Sequence, residues 1–215
     1  MTHLVPVPSP GETLHFGRAG HPLVVVLHDW YGRLPWLTPY AEALASRGFQ
    51  VALPDLYGGV CTMDAATAEQ LMQQLDVGAS LAIIDEVIEF VRLDGTVRVG
   101  TLGFSLGGWL ALLHAQGGSV DAVTAYYATL GEDDHGVIPS PVQLHLAETD
   151  EWDGSDEPPR FIERLTEHGT PVSDHIYLGT VHSFANATMT ATVDTRAAAL
   201  AFARTVGFLQ GHLLD

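Results

Sequence analysis

Residues 97–113 constrain the fold of this chain more than any other part of its sequence. An apolar run passes through the pattern G-x-S-x-G around Ser105 and continues directly into a helical pattern. This context predicts a tight strand-to-helix turn, in which Gly103 and Gly107 leave room for neighbouring backbone and Ser105 is presented as a nucleophile. The amide of Leu106, at the helix N-terminus, then forms one half of an oxyanion hole. The alternative is an ordinary glycine-rich turn with Ser105 as an N-cap.

Apolar segments alternate with helical patterns along the rest of the chain. Buried strands are predicted at 23–27, 50–53, 97–102 and 142–147, and further strands at 12–16, 120–125 and 172–177. Helices are predicted at 38–47, 65–75, 108–116, 160–168 and 195–209, and around the stripe Leu81, Ile84, Ile88 and Val91.

Strands that alternate with helices favour right-handed crossovers and a parallel sheet. With the elbow, this order predicts the α/β-hydrolase fold, with a mainly parallel central sheet of about seven or eight strands flanked by helices. Residues 1–215 are expected to form a single domain, since no segment has the composition of a linker.

A serine hydroxyl needs a base within hydrogen-bond reach, and the base needs a third group to hold it. In this fold the chain order is serine, then acid, then histidine. Among the histidines after Ser105, only His182 follows a predicted strand and precedes a helix in a loop. His182 is therefore the predicted base.

The acid is expected just past the strand that precedes this histidine. The segment 141–150 ends there, so Asp150 is the first choice to orient His182. Glu148, Asp153 and Asp156 crowd the same loop, and a solvated acidic turn is the alternative interpretation for each of these carboxylates.

The charge of the chain argues against several classes of partner. It carries 26 acidic residues against nine basic ones, all arginine, for a formal net charge of −17. Such a surface repels phosphate backbones and anionic lipid, so no nucleic-acid or membrane partner is expected. Cys61 is the only cysteine, which gives neither an intrachain disulfide nor a zinc pair. No secretory or membrane-spanning segment is evident, and a cytoplasmic location is expected.

The chain resembles the dienelactone hydrolase family of α/β-hydrolases over nearly its whole length. Four segments carry the resemblance, namely V-L-H-D-W-Y-G at 26–32, V-A-L-P-D-L-Y at 51–57, G-F-S-L-G-G at 103–108 and H-S-F-A at 182–185. The P-D-L-Y and H-S-F-A segments are the more specific ones, because the elbow is common to the whole fold.

The resemblance implies cleavage of an ester or lactone through an acyl-enzyme, with no metal or cofactor and no large lid domain. It also implies that the backbone amide of Trp30 supplies the second half of the oxyanion hole. Asp29 occupies the family's acidic position beside the nucleophile.

Two departures from the family's pattern affect the substrate. The dienelactone-cleaving members have cysteine at the elbow, where this chain has Ser105, and a serine depends more on its histidine. Those members also bind an anionic lactone with arginines, one of them soon after the histidine. Here that segment ends in Asn186, which offers no charge, so dienelactone itself is not the expected substrate.

A substrate pocket is expected to draw on residues near these segments. Trp30, Trp36, Phe104, Trp109 and Trp152 are candidates for an apolar wall, with Trp109 expected in the core. Asp29, Arg33 and Arg160 are candidates for polar contacts, and the alternative for each arginine is a solvated surface position.

These observations predict a serine hydrolase with Ser105 as nucleophile, His182 as base and Asp150 as the residue that orients the base. Its partner is a small-molecule ester or lactone. Two alternatives remain: a thioesterase or other acyl hydrolase with the same triad, and a non-catalytic member of the fold that binds a small molecule. The sequence leaves open whether the chain is a monomer or a homodimer.

Overall fold

The computed structural model of the protein describes residues 4–7, 9–152 and 156–214. Its strands are β1 (Leu4–Val5), β2 (Leu14–Phe16), β3 (Leu23–Leu27), β4 (Gln50–Leu53), β5 (Cys61–Thr62), β6 (Val99–Phe104), β7 (Ala122–Tyr126), β8 (Val142–Thr149) and β9 (Val172–Val181). Its helices are α1 (Leu37–Ala45), α2 (Ala65–Gln73), α3 (Val77–Arg92), α4 (Leu106–Ala115), α5 (Glu157–Glu167) and α6 (Thr195–Leu213), with a short 3₁₀ helix at Glu132–Asp134.

The central sheet has seven strands in the order β2-β4-β3-β6-β7-β8-β9. Only β2 is antiparallel to its neighbour, and the other adjacent pairs are parallel. This confirms the predicted mainly parallel sheet of about seven or eight strands. The short strands β1 and β5 form a separate antiparallel pair.

Each face of the sheet is covered by its own set of helices, and the side chains of β3 show why. Every residue of β3 is buried, as expected for a strand packed on both faces. Val24 and Val26 pack with the apolar residues of α1 and α6. Leu23, Val25 and Leu27 point to the opposite face, where they join the core formed with α3, α4 and α5. The stripe predicted on α3 faces this second core.

Several element boundaries lie beyond the predicted ones, and these differences position the site. Helix α4 begins at Leu106, directly after Ser105, rather than at residue 108. Strand β9 continues to Val181 instead of ending at residue 177, because its pairing with β8 resumes at Thr149 after an irregularity. The side chain of Leu178 is 80% exposed, so the last residues of this edge strand lack the apolar alternation from which a strand is predicted.

The carboxyl ends of the parallel strands lie along one edge of the sheet, where ligands of such folds bind. Ser105 follows β6, Asp150 follows β8 and His182 follows β9 at this edge. None of the described helices is at once long enough and apolar enough to cross a lipid bilayer.

Candidate active site

Ser105 lies on a strained turn between β6 and α4. Its backbone has φ 51° and ψ −117°, a conformation that non-glycine residues rarely adopt. Its amide donates to the carbonyl of Tyr126 at 2.9 Å, and its carbonyl accepts from the amide of Trp109 at 2.9 Å. These bonds fix the turn from the sheet on one side and from the helix on the other.

The glycines of the elbow are required by close backbone contacts. A Cβ atom on Gly103 would lie 2.0 Å from the carbonyl oxygen of Gly107. A Cβ atom on Gly107 would lie 2.4 Å from the carbonyl oxygen of His28, at the end of β3. The elbow can therefore form only with glycine at both positions, which is the steric reason that the motif predicted.

The structure brings Ser105, His182 and Asp150 together in one hydrogen-bonded chain. The Oγ atom of Ser105 lies 2.8 Å from Nε2 of His182. The other ring nitrogen, Nδ1, lies 2.9 Å and 2.8 Å from the two carboxylate oxygens of Asp150. An ionised carboxylate only accepts, so Nδ1 carries the hydrogen and Nε2 is free to accept from the serine hydroxyl. This is the tautomer that a general base requires.

His182 and Asp150 are held at the surface of the site rather than deep beneath it. Both side chains are 11% exposed. The ring of Tyr127 lies against the imidazole of His182, with centroids 4.9 Å apart. The amide of Trp152 donates to Oδ1 of Asp150 at 3.0 Å, which fixes the carboxylate in its loop.

Glu148, a second carboxylate of the acid loop, bonds to a different part of the structure. Glu148 accepts from the amide of Gly179 at 2.7 Å and so ties β8 to β9. Asp156 immediately precedes α5. Asp153 lies outside the described residues.

The loop after β3 approaches the site from the other side. His28 is fully buried, and its Nδ1 donates to the carbonyl of Asp29 at 2.7 Å. Its Nε2 accepts from the amide of Leu56 at 3.0 Å, so the P-D-L-Y segment holds the loop in place. Burial lowers the pKa of His28, which keeps the ring neutral and able to accept this bond.

Asp29 is buried in this loop and does not contact Ser105 in any described interaction. Its Oδ1 accepts from the amide of Tyr31 at 2.9 Å, and its Oδ2 accepts from Nδ2 of Asn186 at 2.8 Å. Burial raises the pKa of Asp29 to about 6, although the two hydrogen bonds and the nearby imidazole of His182 act in the opposite direction. Asn186, which makes this contact, is fully buried.

A cleft of about 350 Å³ opens beside Ser105 and His182. Its walls are mainly apolar side chains from the end of α2, the connection to α3, the start of α3, the elbow helix and the acid loop, namely Met72, Leu75, Val77, Leu106, Trp109 and Trp152. Tyr127, Ala128 and Thr129, which follow β7, complete it.

Several predicted pocket residues do not line this cleft. Phe104 is fully buried, and Trp36 packs against its ring at 4.8 Å inside the core. Arg33 is buried as well, where its guanidinium donates to the carbonyls of Glu12, Leu53 and Ser9 and lies 3.8 Å from Asp55. Phe104 and Trp36, which were predicted for the apolar wall, and Arg33, which was predicted as a polar contact, are therefore buried away from the residues that line this cleft.

Two tryptophans, Trp109 and Trp152, line the cleft, and one of them was expected elsewhere. Trp109 lines the cleft although a core position was expected. Trp152 is among the residues that line it, and its ring packs edge-on against Trp30 at 4.9 Å. Arg160 is an exposed residue of α5 and is not among the residues that line the cleft.

No sequence pattern indicated that residues of α2, of its connection to α3 and of the start of α3 line the cleft. Met72, Leu75 and Val77 stand in a segment whose helical pattern gave no sign of which face meets the site. Tyr127 was also missed; its φ of 39° turns the chain into the site directly after β7. Within residues 4–7, 9–152 and 156–214, no cluster of three or more histidine, cysteine or acidic side chains is arranged to hold a metal ion.

Comparison with known proteins identifies relatives of similar length. A profile of the dienelactone hydrolase family matches residues 12–213. The chain is 27% identical over 207 residues to Protein usf of Aquifex pyrophilus, covering 90% of each chain. It is 28% identical over 209 residues to a carboxymethylenebutenolidase of Pseudomonas putida, covering 89% of this chain and 86% of the other.

Solved structures share the architecture at low sequence identity. A dienelactone hydrolase-like promiscuous phosphotriesterase from metagenomic libraries superposes with a TM-score of 0.79 and 19% identity, covering 91% of this chain and 88% of that one. The fold is that of the α/β-hydrolases, as predicted, and in the described residues no separate lid domain covers the cleft.

Proposed function

This chain belongs to the dienelactone hydrolase family, and we propose that it is a serine hydrolase that cleaves a small ester or lactone through an acyl-enzyme intermediate. Hydrolysis of ester or lactone bonds is the activity of the family, whereas the serine nucleophile and the covalent route are proposed for this chain. The observation that carries the proposal is the continuous hydrogen-bonded chain from Ser105 through His182 to Asp150. A serine hydroxyl is a weak nucleophile near neutral pH, and this chain provides the base that it needs.

In the first half of the reaction, Oγ of Ser105 attacks the carbonyl carbon while its proton moves to Nε2 of His182. The Nδ1–H of His182 remains bonded to Asp150, which stabilises the imidazolium and keeps the ring oriented. Collapse of the tetrahedral intermediate breaks the bond to the alcohol oxygen, which takes the proton from His182. In the second half, a water loses its proton to His182 and attacks the acyl-serine carbonyl. Collapse of this second tetrahedral intermediate breaks the bond to Oγ of Ser105, which takes the proton back from His182, and the acid is released.

The backbone amides of Leu106 and Trp30 stabilise the negative charge that develops on the carbonyl oxygen in the tetrahedral intermediate. Leu106 is the first residue of α4, so its amide has no acceptor within the helix and lies at the positive end of the helix dipole. Neither amide donates a backbone hydrogen bond to another described residue. Two free amides that follow the adjacent strands β6 and β3 are the arrangement that stabilises an oxyanion.

The proposal is tested by steady-state hydrolysis of short p-nitrophenyl esters, lactones and thioesters. Ser105→Ala and His182→Gln are each expected to lower kcat by roughly a thousandfold or more with at least one class of substrate. The matched control is Ser46→Ala, which removes an exposed serine hydroxyl bonded only to the carbonyl of Ala43. Unchanged turnover in the Ser105 and His182 variants would sink the proposal. Absence of turnover in the wild type across the panel would instead favour a non-catalytic binding protein.

A further inference from the structure

The walls of the cleft carry almost no polar groups beyond the reacting ones. Met72, Leu75, Val77, Trp109 and Trp152 supply most of its apolar surface. Apart from Ser105 and His182, the lining side chains with polar atoms are Thr129, the two tryptophans and Tyr127, whose hydroxyl is itself buried. A substrate group that enters this cleft therefore loses its water and meets mainly hydrocarbon and aromatic surface.

No described group supplies a fixed positive charge to this cleft. The sequence contains no lysine, and no arginine is among the residues that line the cleft. Arg33 is committed to backbone carbonyls and to Asp55, and Asn186 is committed to Asp29. Among the described residues that line the cleft, His182 alone can become a cation, and it must be neutral to act as a base.

The ionisable side chains next to the lining residues are carboxylates. Asp150 lies beside His182, and Asp29 lies buried in the loop after β3. The whole chain adds a formal net charge of −17. A carboxylate on the substrate would have to give up its hydration without gaining a cationic partner, which is the costly case for a buried charge.

From this juxtaposition of apolar walls, absent cations and acidic surroundings, we propose that the site selects uncharged, apolar esters of small to medium size and rejects anionic ones. This inference rests on the proposed function and specifies its substrate class. The residues that set the selection are Leu75 and Met72, which reach the cleft from the α2–α3 segment and take no part in the reaction. The volume of about 350 Å³ is near the lower end of the range for small-molecule sites, which limits the group that it accepts.

The experiment compares two pairs of esters that differ in one terminal group. The first pair is p-nitrophenyl hexanoate and the p-nitrophenyl monoester of adipate, with the carboxylate on the acyl side. The second pair is phenyl butyrate and 4-(butyryloxy)benzoate, with the carboxylate on the alcohol side. The wild type is expected to prefer the neutral member of at least one pair by roughly a hundredfold in kcat/KM, as measured by initial rates.

Leu75→Arg is expected to raise the anionic-to-neutral ratio of kcat/KM at least about tenfold, because it places a guanidinium in the wall. Leu75→Gln is the matched control, since it is polar and of similar length but uncharged, and it is expected to leave the ratio near that of the wild type. Met72→Arg with Met72→Gln repeats the comparison from α2. A preference that arises from the cleft persists at about 0.5 M salt, where the long-range field of the surface is screened.

The outcomes separate this inference from the proposed function. If anionic and neutral esters react equally in the wild type, while Ser105→Ala is inactive, the selection is wrong and the serine hydrolase stands. The selection is also overturned if the preference disappears at high salt, or if neither arginine variant alters the ratio. If Ser105→Ala retains full activity on these esters, it is the proposed function that fails.

Discussion

The elbow at 103–108 and the loop at 28–32 approach the same site, but they are stabilised in different ways. The elbow depends largely on contacts among its own residues, since the carbonyl of Gly107 leaves no room for a side chain on Gly103, while the amide of Ser105 also donates to Tyr126 of the neighbouring strand. The loop is fixed by distant partners, since His28 accepts from Leu56 and Asp29 accepts from Asn186, which is 157 residues away in sequence. One half of the site is thus encoded locally, and the other half depends on contacts that only the folded chain creates.

The largest expected effect comes from a substitution in the elbow, the half of the site that is encoded locally. Gly103→Ala should cost about 4 kcal/mol or more of folding free energy and abolish activity, because its methyl group would lie 2.0 Å from backbone that cannot move without opening the elbow. The control is Gly207→Ala in α6, where a Cβ meets nothing within 4 Å, so stability should rise by up to about 1 kcal/mol. Chemical denaturation measures both variants. A Gly103→Ala protein with normal stability and activity would contradict the steric account.

The next effect concerns the buried carboxylate of the loop. Burial raises the pKa of Asp29 from 3.8 to about 6, so the folded protein holds this proton more tightly than the unfolded chain. The resulting stabilisation is fully present below about pH 4 and is lost as the pH rises through 6. Between about pH 4 and pH 7 the wild type should therefore lose roughly 2 kcal/mol relative to Asp29→Asn.

The measurement is the free energy of unfolding of both proteins across that range of pH. The comparison uses the change with pH rather than the absolute value, because an amide at position 29 also faces the Nδ2 donor of Asn186. Parallel curves for the two proteins would show that Asp29 does not titrate in this way.

A smaller effect is expected when the partner of Asp29 is removed. Asn186→Ala leaves Oδ2 of Asp29 buried without its donor and should cost about 2 kcal/mol. Because the loop that carries Trp30 then loosens, kcat should fall roughly tenfold to a hundredfold. The double variant Asp29→Ala/Asn186→Ala should cost less than the sum of the two single changes, and strict additivity would mean that the pair is not coupled.

The smallest effect on stability is expected where the loop meets the acid segment. Trp152 is 52% exposed and packs edge-on against Trp30, so Trp152→Ala should change the folding free energy by less than about 1 kcal/mol. It should raise KM for apolar esters about three- to tenfold through the lost wall of the cleft. Leu178→Ala, an 80% exposed position on β9, is the control, and an equal change in KM in both variants would remove Trp152 from the site.

The same contrast explains what the sequence could predict. The elbow, the alternation of strands with helices and the loop positions of His182 and Asp150 depend on short-range patterns. The parallel sheet was predicted from that alternation, whereas the order of its strands was not predicted. Whether Arg33 and Phe104 face the cleft or the interior depends on the elements that pack against them, and both side chains are buried in the interior. The apolar wall from Met72 to Val77 was missed because amphipathic spacing identifies a buried face without identifying what that face meets.

The central claim is that Ser105 is the nucleophile, and covalent labelling tests it most directly. A fluorophosphonate probe is incubated with the wild type, Ser105→Ala and Ser46→Ala, and the modified peptide is identified by mass spectrometry. The account predicts one label on Ser105 in the wild type and in Ser46→Ala, with loss of esterase activity in proportion, and no label in Ser105→Ala. Equal labelling of Ser105→Ala, or an unlabelled wild type that remains an active esterase, would contradict it.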